Sequence, residues 1–228
     1  MSASVVAAGP DSFLWWDWVV DHGDDVRQRL LEHLWLTGLA VSIGFAIAMG
    51  LSIVALRFRR TYGPITFVTG FLYTIPSLAL FAFLVPITGF TTLTSEIGLV
   101  SYTLLILVRN IVTGIDGVPS AVKEAADAMG YRPWRRFLSV DLRLATPAIV
   151  AGLRIATVTT VGLVTITALI GQGGLGAFID DGLSRNFSTP IVLGAGLSIA
   201  LAVVLDVLLL GVQRLLTPWA RTDRRRAQ

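Results

Sequence analysis

The sequence contains no cysteine and only two histidines, and charged residues make up 14% of its 228 positions. The lack of cysteine excludes a disulfide scaffold and a cysteine-ligated metal site. The charged fraction is low, because a typical soluble domain has about 25% charged residues. Hydrophobic residues make up 54% of the chain. Together these features predict an integral membrane protein with a single domain.

Patterns typical of catalytic and nucleotide-binding sites are also missing. No G-x-x-x-x-G-K followed by Ser or Thr occurs, so the sequence has no P-loop for ATP. Neither His22 nor His33 has the serine, carboxylate or metal-ligand spacing of a catalytic site around it. We therefore predict that the chain is not an enzyme and holds no cofactor or metal of its own. The net charge of only +3 does not indicate nucleic-acid binding.

The glycine-rich stretch "GQGGLG" formally matches the dinucleotide-binding pattern G-x-G-x-x-G. However, it follows an apolar stretch instead of a strand. Asp180 and Asp181 also come too early to be the acidic residue expected about 20 positions later. We predict an external turn instead, formed by Gly171, Gly173, Gly174 and Gly176.

Five apolar stretches are long enough to cross a hydrocarbon core of about 30 Å. They are His33–Leu56, Tyr62–Pro86, Thr94–Ile115, Ala145–Ile170 and Thr189–Leu210. The first carries a stripe of small residues for close helix packing, and Pro76 predicts a kink in the second. Residues 1–32 contain a tryptophan cluster, which favours an external segment at the membrane interface; a floppy tail is the alternative. Residues 33–216 then form the five-span domain, and residues 217–228 form a basic tail.

The basic residues predict the orientation. If the polar segment Ser120–Arg154 is cytoplasmic, fourteen Lys and Arg residues lie on its side of the membrane, and only Arg27, Arg29 and Arg185 lie on the other. The positive-inside rule then places the N-terminus outside and the C-terminus in the cytoplasm.

Two ionisable residues, Arg154 and Asp206, fall inside predicted spans at a similar depth. We predict that they form an ion pair, because unpaired charges in a membrane are expensive; a proton-relay role for Asp206 is the alternative. Polar residues that could line a pathway are Thr74, Pro76, Ser77 and Thr165. Membrane threonines also often bond their own helix backbone.

The segment Ser120–Arg154 predicts a capped helix, a turn at Gly130 and a second short helix that starts at Pro133. Ala125 and Ala126 would leave a flat patch beside Glu124, which suits docking into a groove of a partner protein. We assign the loop at about 116–144 to this contact.

The stretch "EAADAMG", followed nine residues later by "VDL", resembles the EAA loop of permease subunits of bacterial ABC importers. In that family the loop is the cytoplasmic coupling helix that fits a cleft on the ATPase subunit. The resemblance gives this role to Glu124, Ala125, Ala126 and Gly130, and we add Tyr131 and Pro133 of the same turn. The sequence departs from the family in having Leu142-Arg143 where Leu-Pro is usual, so a bend there is not implied.

The stretches "ALIGQGGLGAFIDDGL" and "YTIPSLALFAFLVPITG" resemble one branch of that family, the osmoprotectant permeases. The resemblance implies an all-α protein of the bacterial inner membrane with five transmembrane helices, the type I (MetI-like) importer permease fold. It also implies a second permease subunit, ATPase subunits that bind ATP and magnesium, and an extracytoplasmic binding protein. Substrates would be glycine betaine, choline, carnitine or proline betaine. Methionine or ergothioneine in the same importer class, and a stand-alone secondary transporter, are the alternatives.

Overall fold

The computed structural model describes residues 14–218, and its regular structure in that range is helical, with no strand. The ten α-helices of this range are α1 (Trp16–Asp21), α2 (Gly23–Arg57), α3 (Tyr62–Thr74), α4 (Ser77–Thr88), α5 (Thr92–Asp116), α6 (Ser120–Ala128), α7 (Pro133–Arg136), α8 (Leu142–Thr167), α9 (Gly176–Arg185) and α10 (Ser188–Leu216). Most of the predicted basic tail, and the first part of the predicted interfacial segment, lie outside the described residues.

Within residues 14–218, four helical stretches are long and apolar enough to cross a membrane. They are Gly23–Arg57, Thr92–Asp116, Pro133–Ile170 and Ser188–Leu216. Helices α3 and α4 pass the same test only together, and they are bent by 95°. The number of crossings is therefore four, or five if the bent pair is one span.

The second predicted span is broken, so the prediction of a kinked continuous helix was wrong. Ile75 has an extended backbone with ψ 127°, as expected for a residue that precedes proline. Pro76 also has no N–H to donate to the helix. The Ile75 carbonyl oxygen instead accepts a hydrogen bond from the Tyr102 hydroxyl of α5. The neighbouring helix therefore compensates for the break.

Two further helices differ from their predicted bounds. Helix α2 begins at Gly23, well before the predicted start at His33. The second short helix predicted at Pro133 is not separate, because a π-helical stretch, Phe137–Asp141, joins α7 to α8. The run from Pro133 to Ile170 is 38 residues long, which corresponds to about 57 Å at 1.5 Å per residue.

Helix α5 is the centre of the bundle and packs against α2, α3, α4 and α8. The predicted small-residue stripe of α2 is buried: Ala40, Gly44, Ala48 and Ser52. Gly44 lies against Thr103 of α5, and Gly152 of α8 lies against Asn110 of α5. Small residues therefore let three long helices approach closely, as in other membrane bundles.

The two ends of the bent pair lie at opposite ends of α5. Before α3, the Arg59 guanidinium donates to Asp116, the last residue of α5, with Nη1 2.8 Å from Oδ2. This hydrogen bond raises the pKa of Arg59. After α4, the Thr88 hydroxyl lies 2.7 Å from the Thr94 hydroxyl in the first turn of α5. The bent pair thus runs the full length of α5.

Candidate functional site

Helix α6 and the turn after it form the first candidate site. The helix spans Ser120–Ala128, and Gly130 has φ 76°, a left-handed conformation that side chains other than glycine rarely adopt. The Tyr131 N–H donates to the Ala126 carbonyl oxygen at 3.1 Å, which closes the turn. Ser120 is the first helical residue and Pro119 occupies the N-cap without a side-chain cap, so the predicted Ser120 cap was wrong.

The two alanines of the motif point in different directions. Ala126 is 1% exposed and packs against its own chain, whereas Glu124 and Ala125 are exposed. The flat patch therefore contains Ala125 without Ala126. Pro133 is the first residue of α7, and Tyr131 lies under Arg135, whose guanidinium carbon is 4.9 Å from the ring centroid. Tyr131 and Pro133 thus shape the turn next to the exposed face of α6.

Ion pairs connect α6 to the long helix that follows it. Arg136 pairs with Asp127 of α6, and its Nε lies 3.6 Å from Oδ2 of Asp141. The Lys123 ammonium donates to the Ile115 carbonyl oxygen at 3.1 Å, which ties α6 to the end of α5. A displacement of α6 would therefore be passed to both α5 and α8.

The structure brings Arg154 of α8 and Asp206 of α10 together. The Arg154 Nε donates to Oδ1 of Asp206 at 2.8 Å, and Nη2 donates to Oδ2 at 2.7 Å. Such a two-pronged contact is the strong geometry for arginine and carboxylate. The pair borders an open groove of about 560 Å³ between α8 and α10, whose other lining is mostly apolar. The side chains are 26% and 33% exposed toward this groove in the single chain.

We expect Arg154→Ala to reduce the folded yield several-fold, because it leaves the Asp206 carboxylate unpaired in an apolar surrounding. Adding Asp206→Ala should restore part of the yield, since the double variant removes the unpaired charge. The folded yield of each variant is measured by size-exclusion chromatography of the tagged chain extracted from membranes. Arg185→Ala is the matched control, because its ion pair with Asp181 is exposed and should contribute little. If Arg154→Ala and Asp206→Ala lose folded yield equally and the double variant recovers none of it, the two residues are not coupled.

The predicted pathway residues are not assembled into one site. Thr74 and Pro76 are exposed at the break between α3 and α4, with Ser77 beside them, whereas Thr165 lies on α8. The Thr74 hydroxyl donates to the Phe71 carbonyl oxygen and the Thr165 hydroxyl donates to the Gly162 carbonyl oxygen, each at 2.7 Å. Both threonines therefore bond their own helices.

The glycine-rich stretch forms a tight turn between α8 and α9. Gly171 and Gly174 have φ 71° and 75°, and Gly176 starts α9 directly against the backbone of Thr165. Gln172 links this turn to the segment between α4 and α5, because its side-chain Nε2 donates a hydrogen bond to the Phe90 carbonyl oxygen at 3.2 Å. The turn is thus held from more than one side.

The residues that hold this turn were missed from the sequence. His33, fully buried on α2, accepts from the Leu175 N–H at Nδ1, 3.2 Å away, and its Nε2 lies 3.0 Å from the Val161 carbonyl oxygen. The Gly174 N–H donates to the Glu32 carboxylate at 3.0 Å. The sequence signal that could have identified them is a pair of adjacent polar residues at the start of the first apolar stretch. It does not reveal their partners, which lie more than 120 positions away. Among residues 14–218 there is no group of three or more His, Asp or Glu side chains suited to a metal ion.

Residues 31–222 match the family described as the binding-protein-dependent transport system inner membrane component. The chain belongs to this family. The chain is therefore a multi-pass protein of the inner membrane and a permease component of such a transport system. The family resemblance noted in the sequence is confirmed.

Several permeases are similar in sequence to this chain along nearly their whole length. The osmoprotectant import permease protein OsmW of Salmonella typhimurium is 34% identical over 88% of this chain and 96% of the relative. The choline transport system permease protein OpuBB of Bacillus subtilis is 34% identical over 86% and 91%. The glycine betaine/carnitine/choline permease protein OpuCB of Bacillus subtilis is 32% identical over the same shares.

Solved permease structures share the fold. A chain of the inward-facing MetNI methionine ABC transporter superposes with a TM-score of 0.73 at 20% identity and covers 88% of this chain and 97% of its own. A chain of an amino acid ABC transporter crystallised with histidines also has a TM-score of 0.73, at 17% identity, over 88% and 98%. These likenesses support the MetI-like fold and no more.

Proposed function

We propose that this permease is the membrane subunit of an ATP-driven importer of osmoprotectants such as glycine betaine, choline, carnitine or proline betaine. The observation that carries the proposal is the identity of 32–34%, over 86% or more of the chain, to permeases named for osmoprotectants, for choline, and for glycine betaine, carnitine and choline. The likeness to the methionine transporter has only 20% identity and concerns the fold. Methionine and ergothioneine are therefore less well supported.

The proposed topology has five crossings, with α3 and α4 together as the second. The contacts Arg59–Asp116 and Thr88–Thr94 support this count, because they join the ends of the bent pair to opposite ends of α5. The N-terminus then lies outside, and the C-terminus lies in the cytoplasm with α6. The excess of basic residues at the α6 end of the bundle supports this orientation.

In the proposed mechanism, α6 is the coupling helix that docks on a cytoplasmic ATPase subunit. The exposed face with Glu124 and Ala125 supports this role, as does the turn at Gly130. The pairs from Asp127 through Arg136 to Asp141 would carry its movement into the helix Pro133–Ile170. That helix ends at the external turn, so one rigid element of about 57 Å would link ATP-driven movement inside to the outer mouth.

Two permease subunits are needed in this proposal, because one chain offers only an open groove at Arg154 and Asp206. The second subunit, identical or related, would complete the pathway. An extracytoplasmic binding protein would deliver the solute, and the ATPase would bind ATP and magnesium. This chain would supply no catalytic group of its own.

The direct test is solute uptake in a host without osmoprotectant uptake of its own, which expresses the chain with its partner subunits. We expect accumulation of at least one radiolabelled osmoprotectant (choline, glycine betaine or carnitine) and its loss when this chain alone is omitted. Excess unlabelled methionine should not compete. If none of the three accumulates while methionine or ergothioneine does, the substrate class is wrong.

A further inference from the structure

A groove at the α6 end of the bundle shares Arg136 and Asp141 with the proposed coupling contacts, but its apolar floor and its other cations have no part in the ion-pair relay. It has a volume of about 410 Å³ and lies among the ends of α2 and α5, helix α6 and the start of the long helix at Pro133. We call it the basic groove. Its floor is apolar and includes Ile53, Leu56, Ile115 and Phe137.

Charged side chains surround this floor. Four cations, Arg57, Arg59, Lys123 and Arg136, and two carboxylates line the basic groove. Asp127, which also pairs with Arg136 from outside the lining, leaves a net charge of +1. Both carboxylates are already paired, Asp116 with Arg59 and Asp141 with Arg136. Arg57 and Lys123 take part in none of the salt bridges described between positions 14 and 218, although Lys123 also lies within the electrostatic influence of Asp116.

Both remaining cations keep donors available. Lys123 has one contact, to the Ile115 carbonyl oxygen, and an ammonium has three N–H donors. The Arg57 guanidinium carbon lies 5.5 Å from the Phe58 ring centroid, and no hydrogen bond described between positions 14 and 218 uses its N–H groups. An anionic oxygen group placed between these two side chains would receive charge-assisted hydrogen bonds from both.

The position of the basic groove indicates what carries that anion. Arg57 ends α2, at the cytoplasmic side in the orientation proposed above, and Ile53 lies four residues earlier, about 6 Å deeper along the helix. Two aromatic side chains beside the groove are largely exposed, Phe58 at 59% and Trp134 at 60%. Tryptophan, unlike phenylalanine, is enriched at the level of lipid headgroups. The basic rim is thus at headgroup level, and the apolar floor extends into the hydrocarbon.

We propose that the basic groove binds one anionic phospholipid of the cytoplasmic leaflet. Its phosphate lies between Arg57 and Lys123, and part of an acyl chain lies on Ile53, Leu56 and Phe137. A soluble phosphate would have no use for the apolar floor, and a neutral lipid would not satisfy the net positive charge. Basic pockets between membrane helices on this side are suited to such headgroups. Because Lys123 belongs to α6, the bound lipid would hold the docking helix against the bundle.

The test uses the full-length chain in neutral detergent, with bound lipid counted by native mass spectrometry. Phosphatidylglycerol is titrated against phosphatidylcholine with the same acyl chains, and inorganic phosphate is added as a competitor. We expect phosphatidylglycerol to bind in preference, and phosphate not to displace it. The variant Arg57→Gln with Lys123→Gln should bind it roughly 25-fold more weakly, about fivefold for each cation removed.

Matched variants separate the site from general charge. Arg60→Gln with Arg132→Gln removes the same charge from exposed cytoplasmic positions outside the basic groove and should bind normally. Arg57→Lys with Lys123→Arg keeps both cations and should retain the preference. Ile53→Trp fills the floor with the rim intact and should weaken lipid binding. Elution volume in size-exclusion chromatography verifies that each variant is folded.

Four results would overturn the proposal. They are equal binding of both lipids, full binding by the Arg57→Gln and Lys123→Gln variant, displacement by phosphate with no effect of Ile53→Trp, and release of the lipid when the partner ATPase docks. The last would assign the basic groove to the ATPase interface. The lipid titration needs neither ATP nor solute, so failure of the transport proposal would leave it intact.

Discussion

Replacing Gly176 by alanine is expected to destabilise the fold by about 3 kcal/mol, the upper end for overpacking of a tight interior. A Cβ at this position would lie 2.7 Å from both the carbonyl carbon and the Cα of Thr165, and closer still to its carbonyl oxygen. These are backbone atoms in the last turn of α8, so no side-chain movement relieves the clash. Separating α9 from α8 would also strain the hydrogen bonds from the glycine-rich turn to Glu32 and His33.

The measurement is the apparent melting temperature of the detergent-purified chain, followed by size-exclusion chromatography after heating. Gly196→Ala is the matched control, because it lies in α10 with nothing within 4 Å of its added Cβ. We expect the control to be neutral or slightly stabilising. Unchanged stability of Gly176→Ala would show that α9 does not pack against α8 as described.

Replacing Ala125 by arginine is expected to abolish association with the ATPase without unfolding the permease. Ala125 is exposed on α6, so its own chain can accommodate a long side chain, whereas a partner surface that approaches closely cannot. An arginine side chain at this position would hold the partner surface away from α6, which removes most of a small interface. We expect at least a roughly tenfold loss of co-purified ATPase, the range of a binding hot spot.

Two comparisons make this result specific. Gly63→Arg adds the same side chain at an exposed position with open space on α3 and should leave association unchanged. Ala126→Arg should instead reduce the folded yield, because Ala126 is buried. Normal ATPase recovery with Ala125→Arg would remove α6 from the docking surface.

The parts of the fold that could be predicted from the sequence are those set by local chemistry. The lengths of the apolar runs located the long helices, because a span must satisfy its backbone internally. Gly130 predicted the end of α6, since a left-handed turn favours glycine. The depth argument for Arg154 and Asp206 needed only helix rise and the cost of an unpaired charge.

The parts that could not be predicted depend on contacts between distant segments. Whether Pro76 kinks or breaks a helix depends on a partner for the freed carbonyl, and here that partner is Tyr102. Which alanine of α6 is buried depends on packing against the rest of the chain. The role of Glu32 and His33 could not be predicted, because their partners at Gly174 and Leu175 lie 142 positions away.

The central claim is that this permease works as part of an ATP-driven, binding-protein-dependent assembly. The most direct measurement is a pull-down of the tagged chain from native membranes in mild detergent, with partners identified by mass spectrometry. The account predicts an ATPase subunit, an extracytoplasmic binding protein and a second permease copy or a related chain. Recovery of the chain alone, together with solute movement in liposomes without ATP, would contradict the account and favour a stand-alone secondary transporter.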